Sequence, residues 1–223
     1  MSDFWRQLPW GVMIVGGVLL SLYIANLCYD MAPNRQWIVR KIGHIGGYVG
    51  YLLCALVFTS WLWPFALSVG FLVLLSFMRF WKGTVPFRGV ARTTTWAELW
   101  YPVSSAICIA TLWGIYDKPF LVVFCISLLG VSDAVTGLVR SRYCTTAQKH
   151  WSGSLAFFVS ALLSSWVFVN PIWFGVVISA CATFIEWASG DVSKIPFMRK
   201  IDDNLSVPIV AMVIVVACIG IVR

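Results

Sequence analysis

The chain has 223 residues, of which 60% are hydrophobic and only 11% charged, and its mean hydropathy is +0.86. A soluble domain carries about 25% charged and 45–50% apolar residues, so a soluble globular domain, a disordered tail and a disulfide-stapled secreted module are excluded. An integral membrane protein remains, with 16 Lys+Arg against 9 Asp+Glu, a net charge of +7.

A transmembrane helix needs about 20 apolar residues. Eight stretches come close, at about 8–29, 44–61, 63–81, 98–115, 119–139, 152–169, 171–188 and 205–222. The second and third are split only by Trp61-Leu62-Trp63-Pro64, and the sixth and seventh only by Val169-Asn170-Pro171. Each proline sits where a helix can begin. Many of the 13 Trp, such as Trp10, Trp61, Trp81 and Trp151, fall at the ends of apolar runs, where interfacial aromatic belts form. No repeat stands out. The expectation is one all-α, polytopic membrane bundle of about eight transmembrane helices, with residues 1–223 as a single catalytic domain.

The loops after the second, fourth and sixth stretches are very short, and the other four are longer. On the long-loop side lie Arg35, Arg40, Lys41, Arg79, Lys82, Arg88, Arg92, Arg140, Arg142, Lys149, Lys194, Arg199 and Lys200, against Arg6, Lys118 and Arg223 on the other. Cytoplasmic loops carry the excess of Lys and Arg. The long loops are therefore expected inside and both termini outside, in a multi-pass protein of the bacterial cytoplasmic membrane. Seven acids (Asp30, Glu98, Asp133, Glu186, Asp191, Asp202 and Asp203) fall on the same basic side, and only Asp3 and Asp117 on the other. A topology signal needs no acids, so these ask for a chemical explanation.

The second, fourth, sixth and eighth stretches start on that side. A helix N-terminus offers free N–H groups and partial positive charge, a ready anion site. The second is expected to begin after Arg40-Lys41-Ile42-Gly43-His44, and the fourth at Glu98, just beyond Arg92. The sixth follows Lys149-His150-Trp151-Ser152-Gly153-Ser154, in which Lys149 supplies charge, Ser a cap and Gly a close backbone approach. The eighth follows Asp202-Asp203-Asn204, where Asn204 also suits an N-cap. Asp133 and Glu186 end the fifth and seventh runs. Acids at such depth are functional candidates, either as Mg²⁺ ligands or as a base. The Gly43/Gly47 and Gly46/Gly50 spacings point to helix packing. The seven cysteines are scattered with no CxxC and are expected as buried thiols. No Walker A, GxGxxG or zinc pattern occurs. The set describes a pocket for a Mg²⁺-bound nucleoside triphosphate, with the second substrate arriving from the bilayer.

Four ordered stretches resemble the polyprenol kinase family, which includes dolichol kinase and phytol or farnesol kinase and is related to CTP-dependent phosphatidate cytidylyltransferases. They are Arg40-Lys41-x-x-His44, Arg92 to Glu98-Leu99-x-x-Pro102, Asp133 through Lys149-x-Trp151-Ser152-Gly153-Ser154, and Glu186 with Asp203-Asn204-Leu205-x-Val207-Pro208. The resemblance implies transfer of the γ-phosphoryl of a nucleotide, usually CTP, to an isoprenoid alcohol, with Mg²⁺ as cofactor. Two departures stand out: Ser132 precedes Asp133 where the family usually has glycine, and Arg140 replaces a later glycine. On this reading Asp133 and Asp203 hold Mg²⁺, with Glu186 as a third candidate. Arg40, Lys41, Arg92, Lys149, Ser152, Gly153, Ser154 and Asn204 contact phosphates. The base is Asp133, Glu186 or His44, and Glu98 is a further candidate. The partners expected are the nucleotide, the lipid alcohol and the bilayer, with no nucleic acid; the oligomeric state, a homo-oligomer included, stays open. A cytidylyltransferase acting on a lipid phosphate is the nearest alternative, and a small transporter the more remote one.

Overall fold

Helices account for nearly all the regular structure, as continuous apolar runs in a chain with few loop residues dictate. The computed structural model describes residues 3–82, 87–90, 96–144, 148–190, 193, 197 and 200–219. Among them lie α1 (Asp3–Met31), α2 (Gln36–Val57), α3 (Leu62–Lys82), α4 (Ala97–Cys108), α5 (Pro119–Ser127), α6 (Asp133–Arg140), α7 (Trp151–Phe168), α8 (Ile172–Ala188) and α9 (Asp203–Ile219). A π-helical stretch, Ile109–Ile115, prolongs α4, and another, Leu128–Ser132, joins α5 to α6. The described residues therefore form eight helical rods and no strand.

Four of the rods are long and apolar enough to cross a membrane by length and composition: Trp5–Met31, Leu62–Phe80, Pro119–Arg140 and Trp151–Phe168. Ile172–Ala188 and Asp203–Ile219 are apolar but shorter. The rods differ in depth. In its most apolar stretch Pro119–Arg140 is 78% buried, against 22% for the first rod and 17% for α3. The fifth rod is thus the axis of the bundle, and α1 and α3 are peripheral. Outward faces carry large apolar side chains such as Met13, Leu20, Val73, Trp166 and Val167. An apolar surface this extensive is compatible with a bilayer and not with water.

Lipid is as apolar as leucine, so small residues and close packing hold such helices together. The α2 glycines do this. A Cβ at Gly46 would collide with Ser21 of α1, and one at Gly50 would lie 2.9 Å from Val18. At Gly47 it would lie 2.8 Å from the Tyr101 hydroxyl of α4. The small-residue spacing is therefore helix packing, as its periodicity suggests. Gly130, in the second π stretch, lies against Tyr48, and a Cβ there would stand 3.1 Å from the His44 carbonyl. Gly130→Ala should cost about 1–3 kcal/mol, the usual penalty for overpacking. Thermal unfolding in a single detergent checks this, and an unchanged melting temperature would contradict the packing described. All seven cysteines are free.

One boundary departs from expectation. The apolar run of α2 opens near His44, but the helix itself begins at Gln36. Arg40, Lys41 and His44 therefore project from within the helix instead of flanking its N-terminus. Gln36 to Arg40 lacks apolar periodicity but contains no breaker, so helix propagates through it.

Candidate functional site

The starts of α2, α4, α7 and α9 and the ends of α3, α6 and α8 gather at one end of the bundle, where buried charges among the described residues form three clusters. In the first, α2 places Lys41 and His44 three residues apart, hence on one face. Lys41 Nζ ion-pairs with Asp133 Oδ2, and His44 Nδ1 lies 3.2 Å from the same oxygen. Asp133 opens α6 and is buried, as is His44. The His44 ring stacks on Tyr101 at 5.3 Å, and Tyr101 donates a hydrogen bond to the His44 carbonyl. Asp203 opens α9 at the same end of the bundle.

The second cluster centres on Glu186, only 2% exposed near the end of α8. Arg140 Nη2 donates to both of its oxygens, at 3.1 and 3.2 Å. Lys149 Nζ donates to Oε1 at 2.6 Å and also to the Glu186 carbonyl. Asp133 and Arg140 are seven residues apart on one short helix, so α6 links the two clusters. Gly153 completes the link, because a Cβ there would collide with the Arg140 side chain. Its carbonyl accepts from Thr136 at 3.2 Å. In the third cluster Arg79 ion-pairs with Glu98 Oε1 and lies 4.5 Å over the Trp96 ring.

Several buried polar atoms have no hydrogen-bond partner among the described residues: Arg40 Nε, Arg140 Nε, Ser132 Oγ, Ser154 Oγ and Glu98 Oε2. Leaving such a group unsatisfied costs about 1–3 kcal/mol. Four of these five are donors, and they lie among or beside the two larger clusters.

The helix N-termini are less open than expected. His150, not Ser152, caps α7: its Nδ1 accepts from the Ser152 N–H at 3.3 Å and lies 2.7 Å from Ser152 Oγ. Asp202 Oδ1 accepts from the Asn204 N–H at 2.9 Å and caps α9. Asn204 itself ties α9 to α4. Its side chain donates to the Ala97 carbonyl at 3.0 Å, and its carbonyl accepts from Ser104 at 2.8 Å. Lys149 and Gly153 meet Glu186 and Arg140 directly. Arg92 lies outside the described residues.

The structure thus brings Arg40, Lys41, His44, Asp133, Lys149, Ser152, Gly153, Ser154, Glu186 and Asp203 to one end of the bundle. Glu98 stands in a separate pair, and Asn204 faces away into α4. Two residues enter that the sequence did not place in the site, Arg140 standing there only as a departure from a glycine. Arg140 falls two helical turns beyond Asp133 on the same face, and that spacing is the signal that could have found it. Arg79 looks like any basic residue at a helix end, and nothing local distinguishes it. Comparison with protein-family profiles, curated proteins and solved structures finds no match.

Proposed function

We propose that the protein is a membrane-embedded lipid-alcohol kinase. It moves the γ-phosphoryl of a nucleoside triphosphate, CTP by resemblance, to the hydroxyl of an isoprenoid alcohol. The bundle is taken to cross the membrane eight times with both termini outside, so that the charged end faces the cytoplasm. The observation that carries this reading is the surplus of unpaired buried donors beside the Lys41–Asp133 and Arg140–Glu186–Lys149 clusters. An anionic ligand with several acceptor oxygens satisfies such donors. Phosphoryl transfer asks a protein chiefly for positioning and charge neutralisation.

Magnesium fits this donor set only together with phosphates. Among the described residues no group of three or more His, Cys, Asp or Glu side chains converges. Magnesium binds through one or two carboxylates plus substrate phosphate oxygens, so a full protein cage is unnecessary. Lys41 pairs with Asp133, and Asp203 opens α9 at the same end of the bundle. Asp133 and Asp203 would hold the ion, which would neutralise charge on the transferring group. Glu186, engaged by two cations, serves on this reading to hold Arg140 and Lys149 in place.

Membranes containing the protein, an isoprenoid alcohol and CTP labelled at either the γ or the α phosphorus test the reading. Label reaching lipid from γ alone is the expected result. Label from α would replace it with nucleotidyl transfer, and none from either position would overturn both.

A further inference from the structure

A narrow slot lies between the α1–α2 and α3–α4 hairpins, with a cavity volume of about 90 Å³. Its walls are almost wholly apolar, with Val18 and Leu22 on one side and Phe71 and Leu75 on the other. Gly43, Gly47 and Gly50 form its α2 wall, where Val90, Tyr101 and Val18 approach the helix backbone closely. From Gly43 to Cys54 the wall rises about 16 Å along α2. At about 1.3 Å of advance per tetrahedral C–C bond, that suits a hydrocarbon of roughly a dozen carbons. α1 and α3 touch at few points, which leaves a lateral way in from the bilayer.

The hydrogen-bonded Tyr51–Ser68 hydroxyl pair lies toward one end of the slot, and its ionisable groups lie at the other. There His44 and Glu98 line it, and both are buried. Glu98 gives one carboxylate oxygen to Arg79. The other, Oε2, has no hydrogen-bond partner among the described residues. A buried carboxylate oxygen without a donor, at the end of an apolar slot, suits a ligand with one hydroxyl and a long tail. His44, on the same wall, leads directly to Asp133.

We infer that this slot receives the tail of a single-chain lipid alcohol from the bilayer, with its hydroxyl donating to Glu98 Oε2 beside His44. The inference rests on the kinase reading for the word alcohol; the slot and the unpaired oxygen stand without it. Glu98 is then the residue that positions the acceptor hydroxyl. The opposite end, near Cys54 and Leu67, sets the tail length that fits.

The test uses the full chain in lipid nanodiscs and a C15 primary alcohol carrying a terminal diazirine. Photolabelling should fall on the Cys54–Leu67 end. An unlabelled C15 alcohol should compete at least about tenfold better than the C15 hydrocarbon, the ratio expected of one charge-assisted hydrogen bond. Glu98→Leu should erase that preference. Cys54→Trp should abolish labelling at the floor and favour C10 over C15, so a Glu98 variant that fails to fold still leaves the slot testable. Label confined to outward residues such as Val73, or an unchanged length preference in Cys54→Trp, overturns the inference. Phosphoryl transfer with label outside the slot leaves the kinase and removes the slot. Saturable slot labelling without transfer does the reverse.

Discussion

Asp133→Asn is expected to lower phosphoryl transfer by at least about 100-fold, the scale at which removing one charged contact from a reacting centre is felt. The amount of folded protein in the membrane should not change. Asparagine keeps the shape of the side chain and one acceptor oxygen, so Lys41 and His44 each retain a hydrogen-bond partner while the ion pair itself is lost. What disappears is the negative charge that pairs with the Lys41 ammonium, orders the His44 ring and would hold a metal. The check is an initial rate with γ-labelled nucleotide, set against thermal unfolding of the same preparation. A rate within tenfold of wild type, with lowered stability, would make Asp133 merely half of a buried ion pair.

Glu186→Leu is expected to act mainly on stability, by about 3–5 kcal/mol. Breaking a buried pair leaves uncompensated charge in a low-dielectric interior. Here two cations are stranded, because Arg140 and Lys149 both depend on Glu186. The informative control is the triple variant Glu186→Leu, Arg140→Met, Lys149→Met. Replacing a whole buried ionic group with apolar residues of similar volume is often neutral or stabilising, so the triple variant should melt within a few degrees of wild type. It should nevertheless transfer no phosphate. Unfolding temperature and turnover would then separate. Full activity in the stable triple variant would show that this cluster only holds helices together.

These two expectations draw on different parts of what the sequence makes legible. The helical rods are plain in the hydropathy, because a chain this apolar has few other ways to satisfy its backbone. Asp133 and Glu186 stand out for a similar reason, as acids in runs that otherwise contain none. Their partners are not legible. That Lys41 meets Asp133, 92 residues away, follows from the packing of α2 against the central rod and not from any local pattern. Arg140 is visible in sequence only as a departure from a glycine. In the structure that departure fills the space above Gly153 and holds Glu186. The start of α2 is missed because hydropathy marks where a segment becomes apolar, not where hydrogen bonding begins. Asn204 looks like a cap because asparagine often is one, yet Asp202 takes that role and leaves Asn204 to join two helices.

The π-helical turn before Asp133 carries a last consequence. An α-helix rotates by about 100° per residue, and a π turn inserts an extra residue without ending the rod. Every side chain beyond Ser132 is thereby indexed afresh. Upstream, Val122 through Ser127 are buried in unbroken succession, so that half faces protein all round. Downstream, Asp133, Gly137 and Arg140 are buried while Leu138 is exposed. The axial rod is therefore two cylinders on one shaft, the first keyed to the greasy core and the second to the charges. The inserted residue sets the angle between them, so the apolar half can repack by substitution without turning Asp133 away from Lys41.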